Sequence, residues 1–324
     1  MKNILKSSLL IVSGIILIFI VMLYFGLNEI ISQLSSMDFF LFSIAILVQI
    51  IFFVLLAIRL RVLAGKYPPL SFIKALKVSV IGSAVSFLTP LARIGGEPVK
   101  IGMLKSDFGV SKSAAIVVLD LFAEVLSLYI IIAISIIYIL ATQMFPFAVM
   151  MPFIIAFAVS FILIVLFMCV SHNLNLLRKF VNFFIRLISK FRKIENKDYA
   201  ELFFKYTKIM TYSKKTMLAT AVVSALIRIF EFLRIWIVFL ALHFNAPFWV
   251  ILLAWSLILL LSMIPWLPGG LGLIEVGGVS AFVLFGIPVA TAAGAMIVDR
   301  FISLWLVIFA GLIWMSRTKI TKDG

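Results

Sequence analysis

The stretch PWLPGGLGLIE, from Pro265 to Glu275, decides how this chain is read. It lies inside an apolar region, yet it carries two prolines, three glycines and a carboxylate. Proline removes a backbone donor and glycine weakens a helix, so one continuous helix is not expected through it. Non-helical backbone at membrane depth is tolerated only where protein buries it or where it lines a wet cavity. Glu275 adds an ionisable group, which inside a bilayer marks function by default. A second such stretch, TPLARIGGEPVK, runs from Thr89 to Lys100. In each, a proline stands seven positions before a glutamate (Pro90 and Glu97, Pro268 and Glu275), with a Gly-Gly pair between them. The two read as broken-helix elements that together build one site.

Working outward, composition sets the class. Hydrophobic residues make up 65% of the 324, charged residues 13%, and mean hydropathy is +1.27, which places the chain among polytopic membrane proteins. The expected fold is all-α, with about six full transmembrane helices plus two re-entrant helical hairpins in an inverted repeat, forming a single integral membrane domain over 1–324. One cysteine, Cys169, excludes an intrachain disulfide, and His172 and His243 without a Cys/His cluster argue against zinc. The chain contains no P-loop, GxGxxG, HExxH or GxSxG motif. No cofactor, metal or catalytic residue is expected.

A spanning helix needs about 20 apolar residues. Candidate spans are 8–26, 38–58, 113–140, 147–170, 216–242 and 289–313, with 8–26 read as a retained helix and not a cleaved signal. Regions 71–106 and 248–286 are each two short apolar arms around a Pro/Gly break. A net charge of +15 could suggest nucleic acid, but its distribution follows the positive-inside rule instead. With both termini cytoplasmic, the inner stretches hold 23 of the 28 Lys and Arg residues, Arg59 among them. The remaining five, Arg93, Lys100, Arg228, Arg234 and Arg300, lie in apolar regions. Hairpin 71–106 then enters from the cytoplasm and hairpin 248–286 from outside; treating the second as two full spans leaves the charge count unchanged. Paired broken helices of this kind point to a transporter's substrate site. The basic segment 171–215, with apolar residues at helical spacing, reads either as a helix on an anionic leaflet or as a loop that sets topology.

The intramembrane ionisable set is Arg93, Glu97, Lys100, Asp120, Glu124, Arg228, Glu231, Arg234, Glu275, Asp299 and Arg300. Asp120 and Glu124 are four apart and share a helical face. Ion pairs that hold helices together account for some of these, but a charge at a helix centre costs about 2.5–3.5 kcal/mol on insertion scales, and eleven exceed what packing requires. Arg93, Glu97 and Glu275 are expected to line a substrate path. Arg228, Glu231 and Arg234 are secondary candidates, Lys100 is expected to snorkel towards the cytoplasmic face, and Trp249, Trp255 and Trp266 to pack or anchor at the interface. New helices should begin near Gly95–Glu97 and Gly269–Leu273, and their N-termini suit a phosphate or carboxylate. Arg93 or Arg300 could grip phosphate bidentately.

TPLARIGGEPVKIGMLK and PWLPGGLGLIEVGG, the latter followed by an Ala/Gly-rich run ending in Asp299-Arg300, resemble the two signature regions of the flippase-like membrane family that includes the transmembrane region of lysylphosphatidylglycerol synthetases. The resemblance covers essentially the whole chain. It implies an all-helical domain handling phospholipid or polyprenyl-linked headgroups. By position, Arg93, Gly95, Gly96 and Glu97 match the first signature, Pro268, Gly269, Gly270, Gly272 and Glu275 the second, and Arg300 the arginine after it. The chain lacks the soluble aminoacyl-transferase domain of larger relatives and the glycosyltransferase domain fused to some members. Two functions follow as expectations: a lipid flippase of the cell membrane, or a membrane-embedded enzyme or accessory subunit of lipid-headgroup modification or lipid-linked glycan synthesis, with an ion channel as a weaker third. The expected partners are membrane lipids with an anionic or lipid-linked headgroup, and not nucleic acid; a homo-oligomer and a partner lipid-modifying enzyme both stay open.

Overall fold

The computed structural model describes residues 26–65, 69–89, 95–142, 213–262 and 268–317, with scattered positions between 151 and 162 and Tyr206. Span 8–26 apart from Gly26, most of 147–170 and 171–215, and Arg93 lie outside the described residues. What is described is helical, with no strand.

A short helix, α1 (Leu27–Ser35), precedes α2 (Phe39–Ala64), α3 (Phe72–Leu88) and α4 (Glu97–Thr142). After the 143–212 stretch come α5 (Lys214–Ala241), α6 (Phe248–Leu261), a 3-10 turn (Pro268–Gly270), α7 (Leu273–Leu284) and α8 (Val289–Arg317). Local chemistry sets these ends. Asp38 caps α2 by accepting from the Phe40 and Leu41 N–H groups, and Ser71 and Ser213 cap α3 and α5. Gly65 ends α2 at φ 79°. Gly109, at φ 72° and ψ 167°, breaks α4 into a short arm, 97–108, and a long span.

Three helices, α2, α4 and α8, are long and apolar enough to cross a membrane. Their outward faces carry exposed Leu47, Ile50, Ile130, Ile134, Phe309 and Ile313, as a lipid-facing surface requires. α5 is 28 residues long but interrupts its apolar run with Arg228, Glu231 and Arg234. α6 and α7, at 14 and 12 residues, reach only about 21 and 18 Å at 1.5 Å per residue, short of a hydrocarbon core of about 30 Å.

Packing brings α2 along α5, the C-terminal half of α8 against α3, and α6 against α4. In the last pair Ser135 Oγ and Ser256 Oγ lie 2.7 Å apart, an inter-helix hydrogen bond of the kind that holds helices together in lipid. The largest apolar core gathers α4, α5, α6, α7 and α8 around Phe239 and Phe282, whose rings meet edge to face at 4.8 Å.

Two expectations are corrected. α2 does not stop at residue 58 but runs to Ala64, so Arg59 is fully buried instead of lying in a loop. Lys100 does not snorkel: it is 8% exposed, and its stem lies over Gly82, where a Cβ would stand 2.6 Å from Lys100 Cγ.

The first break closes because Gly96 has no side chain. A Cβ there would collide with the carbonyl oxygen of Gly82 in α3. Gly96→Ala is therefore expected to force α3 and α4 apart, at about 1–3 kcal/mol or more for overpacking. Gly102→Ala, at an exposed site with open space, should be neutral or stabilising. Thermal midpoints of the two variants in detergent check this.

Candidate functional site

Where the two breaks meet, the helices enclose a chamber of about 90 Å³, room for several waters. Glu97 and Lys100 reach it from the arm after the first break, and Asp299, Arg300 and Ser303 from α8. The second break packs on the end of the helix before the first: a Cβ on Gly269 would stand 3.3 Å from the Phe87 carbonyl oxygen. Asp299, Arg300 and Ser303, at three- and four-residue spacing, share one side of α8, beside a π-helical turn, Phe301–Trp305, of a kind often found at functional sites. Ser79, Ser83 and Ser86 of α3 line one wall, and Trp255, Leu259 and Ser262 of α6 another.

Buried cations in low dielectric need partners, and here three of the partners lie on other helices, while Lys100 and Arg228 find theirs on their own. Arg59 Nε donates to Asp120 Oδ1 at 2.7 Å and reaches Glu124 at 3.4 Å. Lys100 Nζ lies 3.0 Å from Glu97 Oε1 and 3.4 Å from Asp120 Oδ2. Arg234 Nε donates to Asp299 Oδ1 at 2.8 Å, and Arg300 Nε to Glu275 Oε1 at 2.7 Å. Two further bonds cross between α2 and α5: Arg59 Nη1 to Ser224 Oγ, and Arg234 Nη1 to Gln49 Oε1. Two buried polar atoms in the chamber wall, Glu97 Oε2 and Trp255 Nε1, have no partner among the described residues.

The lysylphosphatidylglycerol synthase TM region family matches residues 8–311. The chain belongs to that family. A UPF0104 membrane protein of Pyrococcus horikoshii is 27% identical over 97% of this chain and 98% of its own length. One from Methanothermobacter thermautotrophicus is 25% identical over 95% and 94%, and one from Methanocaldococcus jannaschii 24% over 98% and 96%. No solved structure matches. The family and the apolar helices together make this a membrane protein of the lysylphosphatidylglycerol synthase TM region type.

Of the residues singled out in the sequence, the chamber wall gathers Glu97, Asp120, Glu124, Asp299 and Arg300, with Glu231 and Arg234 from the secondary set. Glu275 stands behind the wall. It is 3% exposed, and both oxygens are engaged, one by Arg300 and the other by the Gly272 N–H at 2.7 Å. The anion position at the start of α7 is thus filled by the helix's own glutamate. At the first break the Gly96 N–H is likewise taken, by Ser86 Oγ at 2.9 Å. Gly269, Gly270 and Gly272 all have positive φ, 64°, 68° and 84°, a run that glycine alone adopts readily. This loop, opened by Pro268, presents the Gly269 carbonyl to Arg300. Gly95 turns tightly against Thr89. Arg228 ties α5 to α4 through Ser127 Oγ at 3.0 Å and the Glu124 carbonyl at 3.1 Å, away from the chamber. Arg93 is not among the described residues.

Arg59, Gln49, the three serines of α3 and Trp255 were missed by sequence reasoning. The signal for Arg59 was present: Gln49, Phe52, Leu56 and Arg59 recur at three- and four-residue spacing along one helical stripe. Trp255, expected as packing or an anchor, lies in the wall with its ring 5.8 Å from the Arg234 guanidinium carbon.

Arg59→Met leaves Asp120 without its closest cation and should cost about 3–5 kcal/mol, the usual penalty for breaking a buried pair. Arg59→Met with Asp120→Asn should recover part of that loss. Lys105→Met, at an exposed position, should change little. Unfolding of purified protein in detergent measures all three.

Proposed function

We propose that this protein is a lipid flippase of the cell membrane, in which a headgroup crosses through the chamber while the hydrocarbon tails stay in the bilayer. The observation that carries the reading is the pair of unpartnered atoms in the wall. Glu97 Oε2 asks for a donor or a cation, and Trp255 Nε1 asks for an acceptor. A headgroup holding both a phosphate and an amine or hydroxyl answers both. An intact headgroup is larger than a volume of about 90 Å³, so passage requires the helices around the chamber to part.

The way they part is suggested by pairing between the halves. Arg234 follows Arg59 by 175 positions (234 less 59), and Ser224 follows Gln49 by the same 175. The bonds Arg59 to Ser224 and Arg234 to Gln49 are therefore one contact made twice with the roles exchanged, the signature of a two-fold relation. Ser79, Ser83 and Ser86 in one wall match Trp255, Leu259 and Ser262 in the other, each 176 positions on. Packing follows the same rule, α3 against α8 and α6 against α4. These correspondences support an inverted repeat, with α2–α4 one unit and α5–α8 the other, and the short arms support two hairpins entering from opposite faces. Such halves can rock about a fixed site to give alternating access. The charge distribution supports a cytoplasmic position for both termini.

The enzyme alternative asks for paired carboxylates free to trade protons. Asp120, Asp299 and Glu275 have both oxygens held by Arg, Lys, Ser or backbone N–H groups, so none of the three gives Glu97 a free carboxylate to pair with, which favours binding over bond-breaking.

In liposomes with headgroup-labelled phospholipids, the protein should move lipid between leaflets without altering it chemically. Trp255→Phe keeps the ring and removes the N–H, and should slow movement by up to about tenfold, the equivalent of one hydrogen bond. A chemically changed lipid, or no movement for any headgroup class tried, would overturn the reading.

A further inference from the structure

Glu97 and Glu275 open equivalent arms, yet they are held differently. Glu275 is locked on both oxygens. Glu97 spends one oxygen on Lys100 and leaves the other buried in the chamber wall, unpartnered among the described residues. The residue is 9% exposed, so solvent outside the protein does not satisfy it.

The surrounding charges make a bare carboxylate there costly. On its own arm Glu97 faces Lys100; from the long part of α4 it faces Asp120 and Glu124; and α2 supplies Arg59, bound to both of those acids. Two cations therefore serve three acids in this cluster, among the described residues. Across the chamber α5 brings Glu231 and Arg234, and α8 brings Asp299 and Arg300. Their cations are already committed, Arg234 to Asp299 and Arg300 to Glu275, while Glu231 is taken by Arg228. The walls from α3 and α6 offer serines and Trp255 but no titratable group. Charge buried without a partner is relieved by taking up a proton, and intramembrane carboxylates serve as relay points for protons in transporters.

We infer that Glu97 is the exchangeable-proton site of the chamber: Oε2 carries a proton when the chamber is closed and empty, and releases it to water when a cationic or hydrogen-bond-donating group takes its place. The step breaks one O–H bond and leaves a carboxylate beside Lys100. It deepens the flippase reading and rests on it for its purpose, because proton and headgroup compete for one oxygen and would move in exchange. Glu275 and Asp120, held at both oxygens, cannot take that part.

Infrared difference spectra of the purified protein, titrated from acid to alkaline buffer, test this directly. A protonated-carboxyl C=O band should be present in the native protein and fade as pH rises; it should be absent in Glu97→Gln and retained in Glu275→Gln. Glu97→Asp, which keeps the carboxyl, should retain a titrating band at a shifted position, and it serves if the Gln variant does not fold. A band that survives in folded Glu97→Gln, or native protein with no titrating band, overturns the inference. In liposomes, lipid movement by native protein should respond to an imposed pH gradient and that of Glu97→Gln should not; equal response in both overturns it as well. A Glu97 band with no lipid movement in any liposome supports the proton site and counts against the flippase reading alone.

Discussion

A charge taken out of water must find an opposite charge or give up its own, and most of this fold follows from that constraint. Among the described residues five buried cations, Arg59, Lys100, Arg228, Arg234 and Arg300, each meet an acid. Three of the pairs join different helices: α2 to α4, α5 to α8, and α7 to α8. Between helices in lipid there is no hydrophobic force to press them together, so packing and polar contacts decide which helices associate. The ion pairs are stabilising only as pairs; removing one member leaves a cost larger than the pair's own contribution.

Space for those pairs comes from small residues. Gly96 lets the arm after the first break lie against the backbone of Gly82, and Gly82 in turn makes room for the stem of Lys100. The second break uses a left-handed glycine loop to hand a carbonyl to Arg300. Each break thus places a cation beside the glutamate that follows it, by a different route: Lys100 from the same helix, Arg300 from the next one. The chamber exists because the broken arms are too short to fill the middle of the bundle, and its walls are polar because the pairs meet there.

Much of this was legible beforehand. Proline and glycine act locally, so the breaks before Glu97 and Leu273 could be placed from residue type alone, and the helices begin there. Asp120, Asp299 and Arg300 stood out as charges within apolar runs. Arg59 did not, because a hydropathy window closes a span at its first charges, whereas a helix continues until its backbone is stopped, here at Gly65. Lys100 misled for a related reason: a lysine three residues from a glutamate near a helix start suits a membrane surface equally well, and only the groove over Gly82 turns it inward. Glu275 was expected in the path, but the Gly272 N–H and Arg300 draw it behind the wall.

From the sequence alone came the class, the helical composition, the two breaks and the membership of the charged set, since each depends on what a residue is and on its near neighbours in the chain. The tertiary structure alone decided which acid each cation meets, that Arg59 is buried against Asp120 and Glu124, that Trp255 lines the chamber, and that, among the described residues, Glu97 keeps an unpartnered oxygen where Glu275 has none. Those outcomes depend on which helices pack against one another, and residues more than a hundred positions apart carry no local mark of the partner they will find.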